Sequence, residues 1–507
     1  MIQQTAEQSA FIKALSEESY SIALNAVAGS GKTTTLVLAA QALKPKPNQV
    51  LALAFNKKNA QDLEKKMPPA VDCMTLNALG HRAWQQRIGK RLFLNDRKVG
   101  EIASELCKEQ QVEDSWADLK NLIVQAKNVG LVPSDMTGCV SMVEDSEENW
   151  NDLIAKHNIE DFKGLIPLAR KGLRKSIAQA LQGTIDFADQ LYMTACYKAK
   201  MPQYPIVLVD EAQDLSEIQH ELIARCVAEG GRLIAVGDPK QAIYGFRGAH
   251  SNSMEVLKTQ FSMTELGLTC SFRCPQAVIR LAQEIVPQIT CLPEAPEGLA
   301  IWLDTRKDDD KDSRSWAVTD LKPDSVILCR NIAPLIKLGF ECFRNSVSCW
   351  VAVRDIGAPL IKASKELDGE NAKELYDSIS QWYEKKVLFA NSNLELISRA
   401  EDVAEALRFV VESINAKSAG DIEDQLRRLF SKDGGSLTLT TIHRAKGLEW
   451  DRVYLLDPWR IPAKFAVRAA NNDPAGCGWM LEQEAHLRYI ALTRAKQELY
   501  FISYPEG

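Results

Sequence analysis

The sequence predicts an α/β fold in which parallel strands alternate with helices. Two polar stretches at the ends of short apolar runs support this prediction: a glycine-rich turn at residues 29–33 and an acidic pair at residues 210–211. Short runs of β-branched and aliphatic residues are typical of strands buried on both faces of a parallel sheet. Open sheets of this kind bind ligands at the carboxyl ends of their strands, where both stretches fall.

The glycine-rich turn reads Gly-Ser-Gly-Lys-Thr and lies between an apolar strand and a helix predicted at residues 36–43. Its glycines let backbone N–H groups approach phosphates closely, and the helix N-terminus adds positive potential. We expect Lys32 to reach the terminal phosphates of a nucleotide and Thr33 to bind Mg²⁺. The strict phosphate-loop pattern has glycine where this chain has Ala26. The alternative, a glycine-rich turn without nucleotide, is disfavoured by the acidic pair.

The acidic pair, Asp210 and Glu211, directly follows the apolar run at residues 205–209. Asp210 can hold Mg²⁺, while Glu211 can orient and deprotonate a water molecule. A solvated acidic turn would be the simpler interpretation if the pair stood alone. The phosphate-binding turn upstream favours the interpretation as a metal-and-water pair.

Composition limits the class of protein. A chain of 507 residues, 46% hydrophobic and 25% charged, is expected to form more than one globular domain. No apolar run of membrane-spanning length occurs and the N-terminus lacks the pattern of a signal peptide, so we expect no membrane partner. The 12 cysteines are scattered, as in a reduced, cytoplasmic protein. A net charge of −6 leaves nucleic-acid binding possible, because affinity depends on a local groove.

The α/β pattern continues along the chain with two mainly helical interruptions. Further strands are predicted at residues 50–55, 206–209, 232–236, 325–329, 436–441, 452–456 and 499–502. We expect a first domain at residues 1–88 and 183–267 with a helical insertion at 89–182, and a second domain at 268–348 and 432–507 with a helical insertion at 349–431.

A loop after the strand at residues 232–236 combines aromatic, glycine and arginine residues. Gln241 is placed to sense a phosphate. Tyr244 and Phe246 offer two faces for base stacking, and Arg247 offers a cation for a nucleic-acid backbone. Core packing is the usual role of a single aromatic residue, but it fits this interleaved loop less well.

Taken in order, these motifs resemble those of the UvrD/Rep type of superfamily 1 helicases, over nearly the whole chain. The matching segments are residues 5–8, 29–33, 54–58, 75–82, 185–187, 210–214, 236–249, 268–273, 440–450 and 489–496. The resemblance implies two RecA-like P-loop domains, each with a helical insertion, the second insertion being shorter than the family often carries. It also implies an enzyme that moves 3′→5′ on single-stranded DNA and unwinds duplex, driven by Mg-ATP hydrolysis in a cleft between the domains.

The resemblance assigns roles to individual residues. The implied catalytic residues are Lys32, Asp210, Glu211, Gln241, Arg273 and Arg494, of which the two arginines meet the charge on the transferred phosphoryl group. The implied ATP contacts are Gln8, Ala28, Gly29, Ser30, Gly31, Lys32, Thr33, Thr34, Phe272 and Glu449, with Thr33 and Asp210 holding Mg²⁺. The implied nucleic-acid contacts are Phe55, Asn56, His81, Tyr244, Phe246, Arg247, His443 and Lys446.

Two departures from the family pattern concern the adenine site. Residues 271–273 read Ser-Phe-Arg where the family often has Asn-Tyr-Arg with the tyrosine stacked on adenine. Phe272 keeps the stacking face but lacks the hydroxyl. Thr34 stands where the family often has the arginine on the other side of the base. We therefore expect relaxed discrimination between nucleotide bases.

Other functions remain open at this stage. The chain could be a DNA-stimulated ATPase or translocase subunit of a repair or phage-defence complex, for example with a nuclease, that unwinds poorly alone. A non-catalytic binding module with ATP as its switch is disfavoured by the complete set of catalytic residues. RNA is also open as a substrate, because no residue visibly tests a 2′-hydroxyl.

Overall fold

Two parallel sheets organise the chain, one in each of two units at residues 1–269 and 270–507. This confirms the α/β class predicted from the sequence. The computed structural model describes residues 4–157, 159–243, 252–303, 316–351, 353–390, 394–430 and 437–503. None of the helices in these segments is long and apolar enough to cross a bilayer.

The first unit is built on a six-stranded sheet in the order β3-β2-β6-β7-β1-β8, in which every pairing is parallel. Its strands, together with a separate two-stranded pair β4-β5, are β1 (Ile22–Ala26), β2 (Val50–Ala54), β3 (Val71–Thr75), β4 (Phe93–Leu94), β5 (Thr184–Ile185), β6 (Tyr204–Val209), β7 (Val227–Gly237) and β8 (Thr264–Leu268). All five residues of β2 are buried, as expected of a strand with helices on both faces.

Eleven helices of the first unit lie in the described segments. They are α1 (Ala6–Glu17), α2 (Lys32–Leu43), α3 (Lys57–Glu64), α4 (Leu76–Ile88), α5 (Lys98–Glu109), α6 (Trp116–Asn128), α7 (Glu147–Lys156), α8 (Leu165–Gln182), α9 (Asp189–Cys196), α10 (Glu217–Cys226) and α11 (Ser253–Gln260). Helices α5 to α8 lie between β4 and β5 in the sequence and pack on one another around fully buried leucine, isoleucine and tryptophan side chains.

A buried charge cluster of two lysines and two aspartates joins this helical block to the turn before α9. Lys127 Nζ lies 2.5 Å from Asp186 Oδ2 and 2.7 Å from Asp189 Oδ1. Lys98 donates to Asp189 and, at 2.9 Å, to the carbonyl of Ser176. Although burial opposes ionisation, Lys127 and Lys98 hold the pKa of Asp186 below its ordinary value. The cluster therefore consists of two compensated ion pairs.

The second unit contains another all-parallel sheet of six strands, in the order β11-β16-β15-β12-β14-β13. With the short pair β9-β10, the strands are β9 (Cys270–Ser271), β10 (Thr290–Cys291), β11 (Leu299–Leu303), β12 (Val326–Cys329), β13 (Cys349–Val351), β14 (Leu437–Thr441), β15 (Trp450–Leu456) and β16 (Ala495–Ile502). The described helices are α12 (Gln276–Ala282), α13 (Ala333–Arg344), α14 (Val353–Lys365), α15 (Ala372–Phe389), α16 (Leu394–Ile414), α17 (Ala419–Leu429), α18 (Ile442–Ala445), α19 (Lys464–Asn472) and α20 (Pro474–Leu492).

Candidate functional site

The glycine-rich turn connects β1 to α2 at the carboxyl edge of the first sheet. Gly29 and Gly31 have φ of 73° and 75°, left-handed conformations that glycine adopts at little cost. Helix α2 begins at Lys32, so its unpaired N–H groups lie directly behind the turn. The hydroxyl of Ser30 is buried and has no hydrogen-bond partner within the described segments. The turn therefore has the geometry and the free polar groups of an anion site.

Asp210 follows β6 and faces this turn. Thr33 Oγ1 donates to Asp210 Oδ2 at 3.2 Å, which places a hydroxyl and a carboxylate oxygen side by side. Burial, followed by the neighbouring Glu211, raises the pKa of Asp210 to about 6, and Lys32 opposes the shift. Oxygen ligands of this kind suit Mg²⁺, whose charge would favour the ionised carboxylate. The residues present thus fit the expected metal.

Glu211 has a left-handed backbone with φ of 56°, an uncommon conformation for a residue with a side chain. Its amide donates to Asp210 Oδ1 at 3.0 Å, and its carboxylate accepts from Gln213 Nε2 at 2.5 Å. The backbone amide of Glu211 is therefore bonded to Asp210, and its carboxylate is oriented by Gln213.

Hydrogen bonds continue from Glu211 to the end of β7. Gln213 Oε1 accepts from the amide of Asp238 at 3.1 Å, and Asp238 Oδ2 accepts from Gln241 Nε2 at 2.6 Å. Burial raises the pKa of Asp238. Gln213 and Asp238 were not among the residues singled out from the sequence as site residues. Their contacts depend on β6 and β7 being neighbours, which local sequence patterns do not reveal.

Gln8 is buried and its Nε2 donates to Thr35 Oγ1 at 2.9 Å, so it lies beside the first turns of α2. Thr5 and Gln8 also form a reciprocal capping box at the start of α1. Thr34 is exposed and Ala28 is fully buried. Gln8, a predicted nucleotide contact outside the phosphate-binding turn, thus lies beside the helix that follows this turn.

In the second unit, Arg273, Glu449 and Arg494 lie close together. Arg273 Nε donates to Glu449 Oε2 at 2.6 Å and its Nη1 to the carbonyl of Thr493 at 3.2 Å. Arg494 is only 1% exposed, and its guanidinium donates to the carbonyls of Ile490 and Leu448, each at 3.0 Å. The two predicted catalytic arginines therefore differ: Arg494 is enclosed by backbone carbonyls, whereas Arg273 is only partly buried.

The stacking residue predicted beside these arginines, Phe272, is 40% exposed. The predicted nucleic-acid contacts His443 and Lys446 are half-buried and lie in or just after the short helix α18, which follows β14. Gly447, two residues before Glu449, has φ of 80°, a left-handed conformation. All of these residues therefore flank strand ends in the second unit.

An aromatic pocket of about 370 Å³ lies on the first unit. Phe55 and Phe187 line it, 49% and 58% exposed respectively, together with Asn77, whose Nδ2 donates to the carbonyl of Phe187 at 3.2 Å. Two exposed phenylalanines over one pocket form a surface suited to stacking with bases. Phe55 was predicted from the sequence as a contact, whereas Phe187 and Asn77 lie in the matching segments 185–187 and 75–82 but were not singled out as contacts. The signal for Phe187 was a phenylalanine directly after Asp186, at the end of a short strand.

The other predicted nucleic-acid contacts of the first unit fall in different surroundings. Asn56 caps α3, where its Oδ1 accepts from the amide of Asn59 at 2.8 Å. His81 lies on α4 with its Nδ1 at 3.5 Å from Gln190 Nε2. Three predicted contacts lie outside the described residues: Tyr244, Phe246 and Arg247.

A glycine loop before a helix, with a carboxylate from a nearby strand end at its threonine, is typical of P-loop nucleoside triphosphatases. Comparison with protein families gives a narrower assignment. The UvrD/REP helicase N-terminal domain matches residues 5–262, and the UvrD-like helicase C-terminal domain matches residues 351–506. The chain belongs to the UvrD/Rep family of DNA helicases, which confirms the resemblance seen in its motifs.

Individual relatives are distant. The F-box DNA helicase protein 1 of Schizosaccharomyces pombe is 26% identical over 98% of this chain, which spans 57% of that protein. A probable DNA helicase II homolog of Rickettsia felis is 23% identical over 94% of the chain and 89% of its own length. The ATP-dependent DNA helicase srs2 of S. pombe is 27% identical over 41% of the chain and 23% of its own length.

Proposed function

We propose that this protein hydrolyses Mg-ATP to move 3′→5′ along single-stranded DNA and to unwind duplex DNA. The observation that carries the proposal is the 3.2 Å contact between Thr33 and Asp210 at the phosphate-binding turn, with Glu211 fixed beside it. Family membership supports the use of DNA and ATP. The direction of movement, and hydrolysis in a cleft between the two units, rest on the resemblance of the motifs.

In the proposed mechanism, Lys32 and the amides of the turn hold the phosphates, while Thr33 and Asp210 supply oxygens to Mg²⁺. The ion would neutralise negative charge on the terminal phosphates. Glu211 orients the attacking water and accepts its proton, and the bond from Gln213 holds the carboxylate in position.

We propose that Arg273 is the first cation from the second unit to meet the transferred phosphoryl group. Its guanidinium is partly accessible, whereas Arg494 would have to give up a backbone carbonyl to contact phosphate. An arginine acting on the transition state is worth about 10³–10⁵ in rate. Arg273 would need to release Glu449 as it binds, which would link nucleotide binding to the motif at residues 440–450.

The bound strand is proposed to stack on Phe55 and Phe187, with His443 and Lys446 as contacts from the second unit. Gln241 would report the state of the phosphates to the adjoining residues Tyr244, Phe246 and Arg247. Stacking on aromatic rings tolerates any base sequence, and stepping along DNA requires that tolerance.

Two experiments test this function. Lys32→Ala and Glu211→Gln should each abolish ATP hydrolysis stimulated by single-stranded DNA, while Glu17→Gln, an exposed carboxylate on α1, should retain it. Strand displacement on duplexes with a 3′ or a 5′ tail then tests direction, with hydrolysis measured in parallel on DNA and RNA strands. Normal turnover in Glu211→Gln would refute the mechanism. Stimulated hydrolysis without displacement would favour a translocase subunit that needs a partner such as a nuclease.

A further inference from the structure

An open groove of about 450 Å³ lies at the C-terminal end of α4, on the first unit and outside the sites described above. We call it the cationic groove. Its lining residues are Arg82, Gln85, Gln86, Gly89, Lys90 and Arg91, all of them exposed. None of these side chains is acidic, and all five can donate hydrogen bonds. The groove therefore presents only cations, amides and the bare backbone of Gly89.

The cations of the groove lack acidic partners. Within the described segments, Arg82, Lys90 and Arg91 make no ion pair. Residues 76–97 contain five Lys or Arg against one Asp, in a chain whose net charge is −6. Two lysines of α8 differ from these cations, because each has an acid within reach: Lys171 lies 2.7 Å from Glu109 and Lys175 lies 3.1 Å from Glu105.

The C-terminal end of α4 explains only some of the positively charged residues in this region. Carbonyl groups at a helix C-terminus favour a nearby cation by about 0.3–1 kcal/mol, within the last turn. Arg87 occupies that turn. Lys90 and Arg91 come after Gly89, the residue that caps the C-terminal end of α4, and they line the groove together with Arg82. Three unpaired cations around one groove indicate an anionic ligand with several charges.

The surroundings favour a nucleic-acid strand over other polyanions. Phe93, two residues after Arg91, is 67% exposed, so a ring for stacking lies near the cations. The other end of α4 carries Asn77, which lines the aromatic pocket. At a rise of 1.5 Å per residue, the 12 steps from Asn77 to Gly89 span about 18 Å, or several nucleotides.

We propose that the cationic groove binds the sugar–phosphate backbone of a nucleic-acid strand several nucleotides away from the aromatic pocket. The proposal rests on the proposed function, since it extends the path of the same strand along α4. Single-stranded and duplex DNA share the chemistry that the groove recognises, and the two are distinguished by the choice of probe.

The test compares the double variant Lys90→Gln/Arg91→Gln with wild type and with Lys171→Gln/Lys175→Gln, which removes the same charge from α8. Fluorescence anisotropy measures affinity over a salt series for oligothymidylates of about five and about twenty nucleotides, and for a tailed duplex. Each lost phosphate contact lowers the salt slope of single-strand binding by about 0.7, so the groove variant should lose about 1.4 on the long strand. If the variant and wild type bind equally at 1 M salt, this difference in slope corresponds to about 25-fold weaker binding by the variant at 0.1 M salt.

The five-nucleotide probe should be affected least, because it can be held at the aromatic pocket alone. A loss on the long strand supports a single-strand contact, and a loss confined to the tailed duplex places duplex DNA in the groove. Unchanged slopes and affinities on all three probes, with melting temperatures equal to wild type, would overturn the proposal while leaving the proposed function intact. Failure of the wild-type protein to bind any strand would instead overturn both.

Discussion

Replacing Lys127 by methionine should strongly destabilise the first unit. The substitution keeps most of the volume of the side chain and removes an ammonium that contacts two buried carboxylates, at 2.5 and 2.7 Å. Asp186 and Asp189 would then share the single charge of Lys98. Removing one partner of a buried ion pair costs about 3–5 kcal/mol, because the remaining charge stays desolvated without compensation.

Differential scanning calorimetry measures this effect. For a unit of this size, 1 kcal/mol shifts the melting temperature by about 2–4 °C, so we expect a decrease of about 6–20 °C for Lys127→Met. The matched control is Lys171→Met, which breaks the exposed pair with Glu109 and should cost about 0–1 kcal/mol. The double variant Lys127→Met/Asp186→Asn should melt at a higher temperature than Lys127→Met, because it also removes the negative charge of Asp186 that Lys127 had neutralised. A shift in Lys127→Met no larger than in Lys171→Met would refute the view of the cluster as a compensated pair of buried ion pairs.

The remaining predictions concern acid stability, hydrolysis and strand binding. In the folded protein the pKa of Asp186 lies below its ordinary value of 3.8. The ionised carboxylate therefore contributes to stability above pH 3.8, and this contribution is lost as the pH falls through the folded pKa. We expect the acid unfolding of Asp186→Asn to depend on pH less steeply than that of wild type, as measured by acid titration of the folded fraction. Gln213→Leu should lower stimulated ATP turnover by about 10- to 100-fold, because Glu211 loses the bond that orients it as a general base; unchanged kcat would contradict this role. Phe187→Ala should weaken single-strand binding by about 1–3 kcal/mol, measured by anisotropy, and an affinity equal to that of wild type would exclude stacking on this ring.

Local patterns were enough to predict the parts of the site that are continuous in sequence. The glycine-rich turn and the acid that follows β6 each combine a short apolar run with polar residues next to it, and both lie at strand ends in the structure. The α/β class follows from the same alternation. The assignment to a helicase family depended on the order of many motifs and was confirmed by comparison with known families.

Features that depend on strand order or on distant pairing could not be predicted from local patterns. The hydrogen bond between Gln213 and Asp238 exists because β7 lies beside β6 in the sheet. The ends of these two strands are far apart in the sequence. Lys98 and Asp189 are 91 positions apart, and neither lysine of the buried cluster stands out from the other charged residues of its helix. The roles assigned to Arg273 and Arg494 stay predictions.

The left-handed backbone at Glu211 places stability and activity in opposition at a single residue. Glycine and asparagine adopt this conformation more readily than glutamate, by about 1 kcal/mol for glycine, but neither carries a carboxylate. A search for thermostable variants should therefore recover Gly or Asn at position 211, and those variants should be inactive. Selection for heat resistance alone would steadily remove the group that the proposed hydrolysis requires.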